Sequence, residues 1–304
     1  MFGEIFYWVF NMSIVASLMG LIVMAIMKIR VIPKRISFFL WLVPFIRMCV
    51  PFGINNPYSL MSLISLFGTK TVTFYCVLNR IRFSFTNCAR AAESYFPIVY
   101  EYNVLDDLFE ILAAIWLIVV FTVIMTLGVL YFASLKEIKT ARHLRDNIYL
   151  SEKVQSPAVY GIIKPKIILP VAYENADIKY ILSHENMHIR HADNFWRLLA
   201  FLAASVHWFN PLAWVFLKRF LSDIELVCDE NAIKNYNEEE RKDDARTLLS
   251  CAENKTVFAS AFGGAKLKTR INNILSYKNM TGVSAFSFMM IIVLIMLALL
   301  TNAA

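Results

Sequence analysis

NFWRLLAFLAASVHWFNPLAWVFL, residues 194–217, decides how this chain is laid out. The stretch is apolar enough for a bilayer crossing, yet Arg197, His207, Asn210 and Pro211 interrupt it. Just before it stands HENMH at 184–188, and just after it DIELVCDEN at 223–231. Residues i and i+4 share a helix face, so His184 and His188 present nitrogens to one metal ion while Glu185 points beside them toward a water. Glu225 and Asp229 repeat that spacing, Glu225 as a third ligand and Asp229 as the acceptor that holds a ligand imidazole by its other N–H. Either pattern alone is weak, since HExxH recurs by chance and ExxxD also describes a solvated acidic helix face. Together they constrain topology: a single crossing at 194–217 would put His188 and Glu225 on opposite sides of a membrane. The stretch therefore crosses an even number of times or not at all, and Asn210-Pro211 at its centre predicts a helical hairpin dipped into the membrane or lying against it.

The remaining sequence reads as a membrane protein. Hydrophobic residues make up 58% of the 304 and the mean hydropathy is +0.55, far above soluble chains. Residues 5–27, 108–132 and 284–301 are apolar runs of the ~20 residues needed to cross a bilayer. Residues 36–52 are shorter and carry Arg47 and two prolines, but are still read as a span. The N-terminus holds Glu4 and no cation, whereas Lys28, Arg30, Lys34 and Arg35 follow the first run, so the start is expected outside. The expected layout is a transmembrane hairpin at 1–52, an extracellular loop at 53–106, a third span at 107–133, a cytosolic zinc domain at 134–283 and a fourth span with a short outside tail at 284–304. The inside segment carries 21 of the 30 lysines and arginines. Basic residues facing anionic lipid heads account for the net charge of +7 without nucleic acid. Cys76 and Cys88 fall in the outside loop, where they can pair, and no cysteine-rich zinc pattern exists.

Within the inside segment, residues 134–150 read as a charged helix leaving the membrane. SPAVYGIIKPKIILP at 156–170 reads as two short strands around Lys164-Pro165, and from Asp177 the spacing of Ile178, Ile181, Leu182 and Met187 is helical. Arg190, His191 and Asp193 after the motif either support an oxyanion or orient a ligand, or form a surface charge cluster. His207 beside Trp208 reads as interfacial more than as a ligand, and Cys228 as a small packed residue.

HENMHIRHAD, HWFNPLAW and DIELVCDE, preceded by SPAVYGIIKPKIILP and by spans in this order, resemble the integral-membrane zinc peptidases of the BlaR/MecR antirepressor type. The resemblance implies a mostly α, polytopic membrane protein. It would have four transmembrane helices and a cytosolic gluzincin-like metallopeptidase domain, a small β-hairpin or sheet plus the HExxH helix, between spans three and four. It implies Zn2+ held by His184, His188 and Glu225, and Glu185 as the catalytic acid/base. The substrate would be a cytosolic repressor-like protein and the chain itself, with the KLKTRI region at 266–271 as a self-cleavage candidate. The location would be a bacterial plasma membrane. Two other classes stand beside it. A non-proteolytic transducer braced by structural zinc has no use for Glu185, and a housekeeping protease of the prenyl-protein type shares HExxH and ExxxD but not HWFNPLAW. The sequence departs from the family pattern in ending three residues after Thr301, with no SxxK motif of a penicillin-binding sensor. Direct acylation by a β-lactam is thus not expected. The aromatic loop at 53–106, or a separate sensor chain or second copy docking on it, is the expected receiver.

Overall fold

The structure, a computed structural model, describes residues 2–28, 33–50, 54, 56–59, 72–74, 83–85, 98–100, 103–173, 178–253, 267–277 and 281–301. Cys76 and Cys88 lie outside the described residues. The chain divides into two compact units. The first comprises Met1–Val123, Ala203–Trp214 and Gly282–Ala304, the second Ile124–Leu202 and Val215–Thr281.

Three helices among the described residues are long and apolar enough to cross a membrane. They are α1 (Phe2–Ile26), the Leu108–Lys136 stretch of α4 (Asn103–Ile138), and α10 (Gly282–Leu300). Their outward side chains include Phe121 at 66% and Leu294 at 61% exposure, a surface suited to hydrocarbon and not to water. The expected span at 36–52 is not one of these three long helices. Its described residues belong to α2 (Lys34–Ser37), a 3-10 turn (Phe38–Trp41) and α3 (Leu42–Cys49), which follow one another without a gap in a shorter helical run. The charge within it is internal: Arg47 is 1% exposed and donates to the carbonyls of Leu299 (3.1 and 3.3 Å) and Thr301 (2.9 Å), which a helix end leaves without intrahelical partners. Around Val72–Phe74 (β1), Phe83–Phe85 (β2) and Ile98–Tyr100 (β3) the expected outside loop forms a three-stranded antiparallel sheet.

Residues 194–217 form the helical hairpin. Helix α6 (Asp193–Val206) ends in a turn at 207–210, and α7 (Pro211–Ala232) leaves it. Asn210 Oδ1 accepts from Leu212 N at 2.9 Å and Pro211 takes the first helical position, where its missing N–H costs nothing. Within the first unit the turn is tied by polar contacts. Asn210 Nδ2 donates to Ser13 Oγ and Ser17 Oγ at 2.7 Å each, His207 Nε2 to Met48 O at 3.0 Å, and Trp116 Nε1 to Val206 O at 2.7 Å. Ser13 is midway along α1, so the turn lies level with the middle of an apolar helix. Trp208 and Phe209 pack there against Phe6, Val9, Met12, Ala113 and Trp116.

The second unit carries a four-stranded sheet in the order β4-β5-β7-β6. Strands β4 (Arg142–Arg145) and β5 (Ile148–Ser151) replace the charged helix expected over 134–150, whose helical part ends at Ile138. The cause is local: Asp146 takes φ 45 at a two-residue Asp-Asn turn, and a bulge falls between His143 and Arg145. Strand β4 is exposed along its length and basic, which suits a sheet edge. The predicted hairpin at 156–170 is present as β6 (Ala158–Tyr160) antiparallel to β7 (Lys166–Pro170), while β5 and β7 run parallel. Gly161 at its turn has φ +91, and a Cβ there would meet Lys164 O at 2.9 Å, so only glycine suits it. One face of the sheet, through Ile148, Leu150, Ile167 and Leu169, packs on Ile181 and Leu182 of α5 (Lys179–Arg190). Helices α8 (Glu238–Glu253) and α9 (Leu267–Leu275) complete the unit around Ile233, Ala245 and Ile274.

Candidate metal centre

Helix α5 places His184 and His188 one turn apart, and Glu225 of α7 reaches the same point. His184 Nε2 and His188 Nε2 are 3.1 Å apart, and the Glu225 oxygens lie 3.7 and 3.8 Å from them. Donors on a tetrahedral zinc with bonds near 2.0–2.1 Å stand ~3.3 Å from one another. The triangle has that size, and two imidazoles with one carboxylate is a zinc-type donor set. Glu185, between the histidines, is buried at 7% exposure.

Each imidazole is held at its other nitrogen. Asp193 Oδ2 lies 2.6 Å from His188 Nδ1, and Asp229 Oδ1 lies 3.2 Å from His184 Nδ1. Asp193 gets there because Ala192 turns the chain at φ 53, a left-handed residue between α5 and α6 where glycine is commoner. Asp229 is in turn gripped by Arg270 of α9, whose Nε and Nη2 donate to its two oxygens at 2.8 and 2.7 Å. Arg270 Nη1 lies 3.3 Å from Glu225 Oε2, and Arg197 Nη2 donates to Glu225 Oε1 at 2.7 Å.

Charge balance favours a divalent ion. Carboxylates Glu185, Asp193, Glu225 and Asp229 stand against guanidiniums Arg197 and Arg270, four negative against two positive, a formal −2. Burial opposes ionisation of Glu225 and Asp229, but His184 and the arginines outweigh it and hold both below the usual carboxylate range. Burial and Arg270 push the His184 imidazole down, hydrogen bonds to Asp229 and Glu225 push it up, and the latter win, to about 10. The site thus draws positive charge onto its ligands, charge that a metal ion supplies in place of a proton. For Asp244 of α8 burial and the Asp229 charge outweigh the pull of His184 and Arg270, and push its carboxyl up to about 6.

Of the weaker sequence candidates, Asp193 joins the site as an orienting group. Arg190 and His191 do not touch the three ligand atoms. With Asn186, Lys234 and Tyr236 they line an open groove of about 520 Å³. His207 belongs to the other unit. Cys228 is a fully buried thiol donating to Asp193 Oδ2 at 3.0 Å, and burial pushes its pKa up, which makes it a packed donor and not a nucleophile. Sequence reasoning missed two residues. Arg197 figured only as an interruption of an apolar run, and Arg270 only as part of the basic stretch 266–271. From Leu267 onward that stretch is helical, with Arg270 turned into the site, so it is not an extended cut site; residues 254–266 lie outside the described residues.

Residues 7–274 match the BlaR1 peptidase M56 family. Among curated proteins, the methicillin resistance mecR1 protein of Staphylococcus aureus is 28% identical over 144 residues, 44% of this chain and 25% of that protein. The regulatory protein BlaR1 of Bacillus licheniformis is 36% identical over 87 residues, 28% of this chain and 14% of that protein. The regulatory protein BlaR1 of Staphylococcus aureus is 27% identical over 135 residues, 41% of this chain and 23% of that protein. The matched part thus spans a quarter or less of each relative's length.

Proposed function

Because the chain belongs to the BlaR1 peptidase M56 family, we propose that it is a membrane zinc endopeptidase of a signalling circuit, with His184, His188 and Glu225 as ligands and Glu185 as general base. The observation that carries this reading is the convergence of three zinc-type donors on one point, each imidazole backed by a carboxylate. A zinc ion bound there supplies Lewis acidity, polarising a peptide carbonyl and making water acidic near neutral pH. Glu185 takes a proton from the attacking water on its carboxylate and returns it to the leaving amide nitrogen. Asp193 and Asp229 keep the imidazoles aimed with Nε2 inward, and Arg270 keeps Asp229 ionised. Arg197 fixes the rotamer of Glu225.

The distribution of basic residues supports a cytosolic zinc domain and an outside N-terminus in a bacterial plasma membrane. It also supports counting the 36–52 segment as a further, shorter passage, since without it the crossing at Leu108–Lys136 would carry the basic 134–283 segment outside. The substrate of this reading is a cytosolic protein of repressor type, with no direct binding of nucleic acid by the chain. An outside signal would enter through residues 53–106 or a partner chain docking there.

The test is metal content set against cleavage for the purified full chain. The native protein should hold one zinc per chain. His188→Ala and Glu225→Ala should lose it, and Glu185→Gln should keep it while cleaving no peptide. Native cleavage by Glu185→Gln would remove the mechanism, and full zinc in Glu225→Ala would remove the ligand assignment.

A further inference from the structure

Strand β6 is the edge of its sheet, and the ladder fixes which way its groups point. Ile167 N donates to Asn147 O at 2.9 Å, so Ile167 turns its hydrogen-bonding groups toward β5. Its counterpart across the β6–β7 ladder is Val159, which therefore sits in a non-hydrogen-bonded pair and aims its own N–H and C=O away from the sheet. Beyond that edge stands Asn194 in the first turn of α6. Its Nδ2 donates to Val159 O and to Gly161 O, at 3.0 Å each. These carbonyls, two residues apart on one edge, are the acceptors an added strand would use. Asn194 Oδ1 and Val159 N–H have no protein partner among the described residues.

We propose that Asn194 completes the substrate-binding edge: its carboxamide sits on the outward carbonyls of β6 and offers Oδ1 to a backbone N–H of an extended peptide, while Val159 N–H donates to a peptide carbonyl. The edge then presents one donor and one acceptor, as a bare strand would, but the acceptor belongs to helix α6. The preceding residue, Asp193, holds His188. A single peptide bond thus links the group that aims a metal ligand to the group that sets where the peptide lies, and β6 itself packs on α5, which carries that ligand. A mere clamp on the Gly161 turn would leave Oδ1 without use. The assignment rests on the peptidase reading above for the identity of its ligand.

The experiment uses the full-length Glu185→Gln protein in lipid nanodiscs and a fluorescent nonapeptide enriched on it from a randomised pool. Analogues replace one backbone amide at a time by an ester, which deletes an N–H and weakens the carbonyl acceptor of the same unit; only the effect of the lost N–H depends on Asn194. One ester position should weaken binding about tenfold, the effect of one good hydrogen bond. Adding Asn194→Leu should make that ester bind as well as its parent, and so should Asn194→Asp, which keeps an acceptor oxygen but has no N–H to seat it on the Val159 and Gly161 carbonyls. The same ester profile with and without Asn194→Leu overturns the proposal. So does a pool from which no peptide binds. Zinc content and turnover of the otherwise native chain, measured beside it, report separately on the peptidase reading, because the ester profile is an equilibrium binding measurement.

Discussion

Asp193→Ala is the sharpest probe of the metal centre, because it touches no ligand atom. The carboxylate accepts from His188 Nδ1 at 2.6 Å with both groups buried, at 4% and 7% exposure. A charge-assisted hydrogen bond in such surroundings contributes roughly 1.5–3 kcal/mol. Two consequences follow from losing it. The imidazole gains freedom to rotate and to hold its proton on the wrong nitrogen, and Nε2 becomes a weaker donor. Together they should weaken zinc binding by about 10- to 100-fold, the usual range for a group that supports a ligand from behind. Competition against a chromophoric chelator at fixed pH measures this directly. Asp193→Asn keeps an acceptor oxygen and loses the charge, so it should fall between, at about 3- to 10-fold. Cys228 supplies the comparison: its thiol lies 3.0 Å from Asp193 Oδ2 and 3.2 Å from His188 Nδ1, and removing it leaves the shorter, charge-assisted Asp193–His188 hydrogen bond in place. Cys228→Ala should leave zinc affinity within about twofold of native. Zinc affinity in Asp193→Ala within twofold of native, or a Cys228→Ala loss as large as that of Asp193→Ala, would refute the reasoning.

Three further outcomes concern stability. Asp244 has its carboxyl raised to about 6 from 3.8, so its stabilising contribution is present below about 4 and lost as pH rises through 6; Asp244→Asn should therefore stabilise the protein at pH 7.5, by up to roughly 3 kcal/mol and with a higher thermal midpoint, and give no gain at pH 4. Equal effects at both pH values in thermal scans would contradict this. Arg270→Leu strands the buried Asp229 carboxylate and should cost about 3–5 kcal/mol in denaturant unfolding, while the Arg270→Leu, Asp229→Leu double variant should cost less than the single one; additive losses would argue against the pair. Asn210→Leu removes both the contacts to Ser13 and Ser17 and the cap on α7, a loss of about 2 kcal/mol, whereas Asn210→Asp keeps the cap and should lose about half of it, as read by thermal unfolding in detergent.

The parts of this architecture that were legible in the sequence are those set by short-range periodicity. His184 and His188, like Glu225 and Asp229, meet because a helix turns every 3.6 residues, and the hairpin at 194–217 followed from requiring both pairs at one ion. The apolar runs announced three membrane-length helices by length alone. Arg270 was not legible, because its partner Asp229 lies 41 residues earlier and nothing in KLKTRI separates an inward arginine from a basic flank. Residues 142–151 misled for a related reason: the bulge between His143 and Arg145 breaks the alternation of an exposed edge strand, and only the Asp-Asn turn hinted at it. The 36–52 segment matched a span in composition, but Arg47 needed carbonyls from the far end of the chain, and no local pattern encodes that.

The contacts of Asn210 also carry a consequence for how the protein is made. A turn bearing His207 and Asn210 cannot enter hydrocarbon alone, because each unmatched polar group there costs several kcal/mol. Its matching hydroxyls, on Ser13 and Ser17, are synthesised 193 to 197 residues earlier, on a helix apolar enough to partition into lipid unaided. For a hairpin that enters the bilayer, helix α1 would be the template made before it. Replacing α1 with a generic hydrophobic anchor would preserve targeting to the membrane and still leave the hairpin without a seat.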